Sequence, residues 1–175
     1  MSTKVAAIAI VISLIISALL INAGSQGSIV VNGWPLFALC APIAFLLHWT
    51  FFIPSYILRT DHYFDLIGST SYVATAITAA MLSPSLDLRG IIICSMVVIW
   101  ATRLGLFLFT RIKQDGKDGR LDVIKTKFIL FLNLWTIGGL WVLVTMGAGL
   151  AAMTSKTSLE IGLIGYIGIG LWVFG

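Results

Sequence analysis

Charge is what this sequence has least of. Of its 175 residues, 11 are Lys or Arg and 7 are Asp or Glu, about 10% together, where an average soluble domain carries about 25%. So few charges cannot coat a soluble domain of this size. Cysteine is nearly absent too: Cys40 and Cys94, each inside an apolar run, exclude a disulfide framework and a zinc cluster. Disorder is excluded because it needs low hydrophobicity and high charge. What the chain has instead is 59% apolar residues and a mean hydropathy of +1.05. The net charge of +4 gathers mostly in one short stretch beside apolar spans, so no nucleic-acid partner is expected. These proportions describe an integral membrane protein, a single membrane domain over 1–175 with the lipid bilayer as its surroundings.

A membrane-crossing helix needs about 17–25 apolar residues. Six stretches are candidates: 5–21, 36–58, 66–82, 91–110, 128–153 and 161–175. Lipid leaves no partner for an open strand, so each is expected to be helical. The expected fold is therefore all-α, a polytopic bundle of about six spans. The third stretch is the weakest, rich in Ser, Thr and Ala. The first, after Lys4 and before Asn22-Ala23-Gly24, has features of a signal peptide. Its length exceeds the usual apolar core of about 7–15 residues, so it is read as a retained span.

Eight Lys and Arg fall on the side of the N-terminus, Arg59 and the 111–127 loop, against two, Arg89 and Lys156, on the other. The positive-inside bias puts the N-terminus and the 111–127 loop in the cytoplasm. The last stretch, 161–175, reaches about 22 Å at the helical rise, short of a hydrocarbon core of about 30 Å. It is expected to continue, making this chain the N-terminal portion of a longer protein.

Four places carry polar chemistry. Arg103 lies inside the fourth span, where a central charge costs at least about 2.5–3.5 kcal/mol. By helical spacing it shares a face with Trp100, Phe107 and Arg111. Because the aqueous boundary is about 10–12 Å away along the helix, a buried and paired Arg103 is expected rather than a snorkelling one. The stretch from Arg111 to Arg120, with turn dipeptides at Asp115-Gly116 and Asp118-Gly119, either grips phosphates or is a plain positive-inside anchor. It lacks the spacing of a phosphate-binding P-loop and of a calcium loop. Asp61, His62, Tyr63 and Asp65 cluster before the third span. Asp65 is an acid, base or hydrogen-bond partner for the bundle, or simply favours a helix start. No metal is expected, because the set lacks a ligand spacing. His48 is expected to pair with a neighbouring backbone group. Glycines 138, 139, 147, 149, 162, 165, 168 and 170 are expected at close helix contacts, and Trp135, Trp141 and Trp172 in packing or at the membrane interface.

Two landmarks carry a resemblance. Phe64-Asp65-Leu-Ile-Gly68 is one. Trp100-Ala-Thr-Arg103-Leu104, then Arg111, then Gly116-Lys117-Asp118-Gly-Arg120 is the other, and the more specific. Together they resemble, over about residues 45–175, the domain-of-unknown-function membrane family related to the steroid 5-alpha-reductases. Leu121 departs from the aromatic residue that many relatives carry there. In that family the span resembling 161–175 leads on to an Arg-His-Pro-Asn-Tyr motif and a Gly-Glu, which this chain lacks.

The resemblance implies an NADPH-dependent reductase of a conjugated double bond in a lipid or sterol-like substrate, inactive as this portion alone. It implies that Asp65 and Trp100 lie toward the substrate, as catalytic residues. Arg103, Arg111, Lys117, Asp118 and Arg120 would lie toward the cofactor's phosphates and ribose. The rival readings are a membrane methyltransferase using S-adenosylmethionine and, in another class, a transporter or non-catalytic membrane protein. A transporter favours repeated broken spans, and no internal repeat is evident.

Overall fold

The computed structural model describes residues 2–115 and 121–175. Every apolar stretch is helical, as backbone in lipid demands. Helix α1 (Thr3–Ser25) starts at Ser2, whose side chain accepts the Val5 amide. A hairpin, β1 (Val30–Val31) and β2 (Trp34–Pro35), follows. It turns through Asn32 and Gly33, both at positive φ, the backbone a two-residue hairpin turn requires. Then come α2 (Leu36–Cys40), α3 (Ile43–Ile57), α4 (Phe64–Leu82), α5 (Leu88–Asp115), α6 (Phe128–Met153) and α7 (Leu163–Phe174).

Among the described residues, four segments are long and apolar enough to cross a membrane: Thr3–Ser25, Leu36–Ile57, Leu88–Ile112 and Phe128–Met153. The second is not one helix. It breaks between α2 and α3 at Ala41-Pro42, where proline has no amide to continue the ladder. Helix α4, at 19 residues, matches the others in length, about 28 Å, but not in apolarity. Its position explains this. It packs against α2, α3, α5 and α6, so much of its surface meets protein rather than lipid. Small residues let its neighbours approach: Gly105 of α5 lies against Ser69, with no room for a β-carbon. Two of its hydroxyls bond their own helix, Ser71 to Ile67 O at 2.7 Å and Thr70 to Leu66 O at 2.8 Å.

Helix α6 is the other central element, packed on α1, α3, α4 and α5. Trp135 and Phe131, fully buried, join Phe52 and Ile67 in one apolar cluster, and Leu36, Cys40, Ala76, Ala101 and Leu150 belong to a second. Helix α1 lies along α6 and buries only Ala6, Ser13 and Ser17. Helix α7 buries nothing. Its Gly162, Gly168 and Gly170 meet no neighbour within 4 Å, so the close packing expected of these glycines is not found. Gly138 and Gly139 meet that expectation, against His48 and Phe45.

The two ends of the bundle are distinct. At one, the connection after α1 is zipped to the end of α6: Ile29 donates to Thr154 O at 2.8 Å and Lys156 to Gly27 O at 3.0 Å, with a bridge between Ser28 and Ser155. The alternation of helices puts the start of α1, the α3–α4 connection and the start of α6 at the other end.

Candidate functional site

The start of α4 and the second half of α5 form a strip on the bundle surface. On α4, Asp65, Gly68 and Tyr72 recur at helical spacing and so share a face. Open space faces Gly68, where a β-carbon would meet nothing within 4 Å. On antiparallel α5, Trp100, Arg103, Phe107 and Arg111 share a face, and all four are exposed. The two helices are held in register by Gly105 against Ser69. This sets Tyr72 beside Trp100, ring centroids 5.1 Å apart and edge to face. It also brings Arg111 near enough to act on the charge of Asp65. The strip runs from Tyr72 to Asp65 over about 10 Å at the helical rise.

The inner end is fixed by hydrogen bonds. Thr145 of α6 gives its hydroxyl proton to Trp141 O at 2.7 Å. Its oxygen is then free only to accept, so the Tyr72 hydroxyl, 2.5 Å away, donates to it. The Tyr72 ring is thereby locked behind Trp100. Sequence reasoning missed Tyr72, although its spacing of seven from Asp65 was the available signal.

The outer end is electrostatic. Asp65 sits in the first turn of α4, where a carboxylate favours the positive end of the helix dipole. Burial disfavours its charged form, Arg111 favours it and Asp61 opposes it, and the balance lifts the Asp65 carboxyl above its ordinary 3.8. Asp61 is itself held by Lys125 at 2.6 Å, and Lys125 also reaches Asp122 at 3.2 Å. Lys125 is buried. Burial disfavours its charge, but the two carboxylates outweigh that and raise it above its ordinary 10.5. This knot ties the α3–α4 connection to the segment leading into α6. Nothing in the sequence singled Lys125 out from its basic neighbours. His62 packs edge-on against Phe109, centroids 5.4 Å apart. Among the described residues no group of three His, Cys, Asp or Glu is placed to hold a metal.

Arg103 corrects an expectation. It is exposed rather than buried, and among the described residues it has no ion pair or side-chain hydrogen bond. The reason is packing: small residues, Ala101 and Gly105, occupy the face of α5 that meets the bundle, so the large side chains of the stripe turn outward. His48 is as expected, buried and bonded through Nδ1 to Ala44 O at 2.7 Å. The structure therefore brings Asp65, Trp100, Arg103 and Arg111 onto one strip. Lys117, Asp118 and Arg120 lie outside the described residues.

Residues 51–175 match the family model described as "Protein of unknown function (DUF1295)". No curated protein and no solved structure matches.

Proposed function

The chain belongs to the DUF1295 family, and from that premise we propose that it is part of a membrane reductase, saturating a conjugated double bond in a lipid or sterol-like substrate with NADPH. One observation carries the reading. Arg103 and Arg111 stand exposed on one face of α5, the first within an apolar span where its charge is costly. A guanidinium kept there without a partner among the described residues is suited to an anionic ligand, and its planar fork fits phosphate.

The residues fit the cofactor in kind. Arg103 and Arg111 would hold its phosphates through charge-assisted hydrogen bonds, with Lys117, Asp118 and Arg120 as further contacts by the resemblance to the steroid 5-alpha-reductase relatives. When bound, NADPH supplies a hydride, and that chemistry belongs to the cofactor. The protein's part is orientation and proton management. Asp65, placed beside Arg111, is assigned to hold or pass the proton that accompanies the hydride. Trp100, held by Tyr72, walls the substrate end and presents an apolar plane to a lipid-like molecule. Lys125 positions, keeping Asp61 fixed next to Asp65. The eight-to-two basic bias supports a cytoplasmic placement of the strip's charged end, where soluble NADPH is met.

The test is a titration of the complete gene product with NADPH, with S-adenosylmethionine as competitor, at two ionic strengths. Binding of NADPH that weakens at least tenfold in Arg103→Leu and Arg111→Leu is the expected result. Binding of S-adenosylmethionine with indifference to NADPH replaces the reductase with a methyltransferase. Binding of neither, with both variants behaving as the wild type, leaves a non-catalytic membrane protein.

A further inference from the structure

His48 is a buried titratable side chain that the chemistry assigned to the strip leaves unused. It is 1% exposed, and its Nδ1 lies 2.7 Å from Ala44 O, one turn earlier in α3. A carbonyl only accepts, so Nδ1 carries a proton. Ser71 of α4 agrees. Its hydroxyl donates to Ile67 O at 2.7 Å and so presents only an acceptor to Nδ1, 3.4 Å away. No carboxylate bonds the ring among the described residues, and an unpaired buried charge is costly, so the imidazole is neutral. Nε2 is then a bare lone pair. It has no donor among the described residues, and an acceptor left unmade inside a protein costs free energy.

One side of that nitrogen is left uncovered by a side chain. Phe64 and Trp135 stand edge-on to the ring, each with its centroid 6.0 Å away. Next to Nε2 is Gly138 of α6, where a β-carbon would come within 2.7 Å of Nε2 and 3.1 Å of the Phe64 ring. Gly138 is itself only partly buried. It also looks toward the α4–α5 strip. The Tyr72 hydroxyl meets Thr145, so the face of α4 that carries Asp65, Gly68 and Tyr72 is turned to α6. Both helices start at the same end of the bundle. Seven residues separate Asp65 from Tyr72 and Gly138 from Thr145, two turns that return to the same face. Asp65 and Gly138 therefore stand at about the same level, in keeping with the approach of Phe64 to Gly138. One turn further in, open space faces Gly68. The two glycines leave bare surface on both helices, with an unengaged acceptor behind one of them.

We propose that His48 is a substrate-recognition residue, its Nε2 accepting a hydrogen bond from the hydroxyl of a sterol-like alcohol lodged between α4 and α6. This deepens the proposed function by naming its substrate class, and rests on that reading for what the strip binds. With Nδ1–H committed to Ala44 O, His48 has no proton to offer a ketone oxygen, so a hydroxyl is selected over a carbonyl. Water carries the same hydroxyl chemistry, and the experiment separates the two sources.

That experiment is nitrogen-15 NMR of the full chain in lipid nanodiscs, labelled at histidine. The chain has two histidines, and His62→Gln leaves His48 alone in the spectrum. The probes are cholestanol and cholestan-3-one, identical but for hydroxyl against carbonyl. Without sterol, Nδ1 should appear protonated and Nε2 as a bare ring nitrogen. Cholestanol should move Nε2 saturably toward the protonated position, and the ketone should leave it in place. Competition should favour the alcohol about tenfold, the worth of one hydrogen bond to a buried acceptor, and His48→Phe should abolish that preference. Gly138→Ala crowds Nε2 without altering the imidazole and should shrink the cholestanol shift. Thermal unfolding shows that each variant is folded, and the shift itself is read without altering His48. A protonated Nε2, or equal shifts with both sterols, overturns the proposal. So does an Nε2 already shifted without sterol and unmoved by either, because an internal water then holds the position. NADPH binding is read separately. A cholestanol shift in a chain that ignores NADPH keeps the site and fails the reductase; NADPH binding with no shift does the reverse.

Discussion

The two ends of α5 carry arginines put to opposite uses. At its start, Asp87 accepts the Gly90 amide at 2.7 Å, an N-cap, and takes the Leu159 amide and the Ser158 hydroxyl at longer range. Arg89 completes the knot by binding the carbonyls of Ala152, in the last turn of α6, and of Thr157 beyond it. At the far end, Arg103 and Arg111 lie exposed on one face. A charge whose hydrogen bonds are taken up inside the fold is available for stability alone. A charge left outside, at the cost of sitting in an apolar span, is available for a ligand. Chemistry is therefore sought at the second end and cohesion at the first.

The sharpest test of this division is at the working end itself, where cohesion is assigned to Lys125 and not to the arginines. Lys125→Ala leaves Asp61 without its close partner, and removal of one member of a buried pair costs about 3 kcal/mol. Chemical unfolding in detergent should register that loss. Because the folded state raises the Lys125 value above 10.5, its contribution is complete below that pH and disappears as pH climbs through the raised value. The wild type should soften in that alkaline range and the variant should not.

Arg89→Met comes next. It removes charge-assisted bonds to two backbone carbonyls, about 2 kcal/mol, and loosens the chain after α6. Hydrogen exchange at residues 154–159 should quicken while the α4–α5 strip is unaffected; uniform quickening would mean the two ends are not separable.

Asp87→Ala is smaller, about 1 kcal/mol, the usual cost of an N-cap. Burial raises the Asp87 value, but the Gly90 and Leu159 amides, Arg89 and Ser158 outweigh it and hold the carboxyl below its ordinary 3.8. Its stabilisation is then present above 3.8 and fades as pH falls through the lowered value. The wild type should lose about that much in acid, and the variant should show no such loss.

Arg103→Leu has the smallest expected effect on stability, within about 0.5 kcal/mol, as for an exposed position. A melting temperature close to the wild type keeps the contrast between the two ends of α5. A large drop breaks it, because Arg103 would then be a structural residue.

Much of this was legible beforehand. Each apolar stretch became a helix because lipid leaves the backbone no alternative, and the spacing of Trp100, Arg103, Phe107 and Arg111 placed them on one face. The Asn32-Gly33 hairpin was overlooked although that dipeptide between β-branched and aromatic residues is its signal. The break at Pro42 was likewise readable from proline's missing amide.

The sequence by itself determined that this chain enters a membrane, where its helices fall and which residues share a helix face, because those properties depend on local composition and on a fixed helical period. It could not decide which face turns inward. That required the neighbours: Ala101 and Gly105 let α5 close onto α4 and so left Arg103 outside, while Tyr72 met Trp100. The same holds for Lys125, distinguished only when the α3–α4 connection brought Asp61 to it. Burial and pairing are properties of the packed whole, and a one-dimensional pattern contains the candidates without the contacts that select among them.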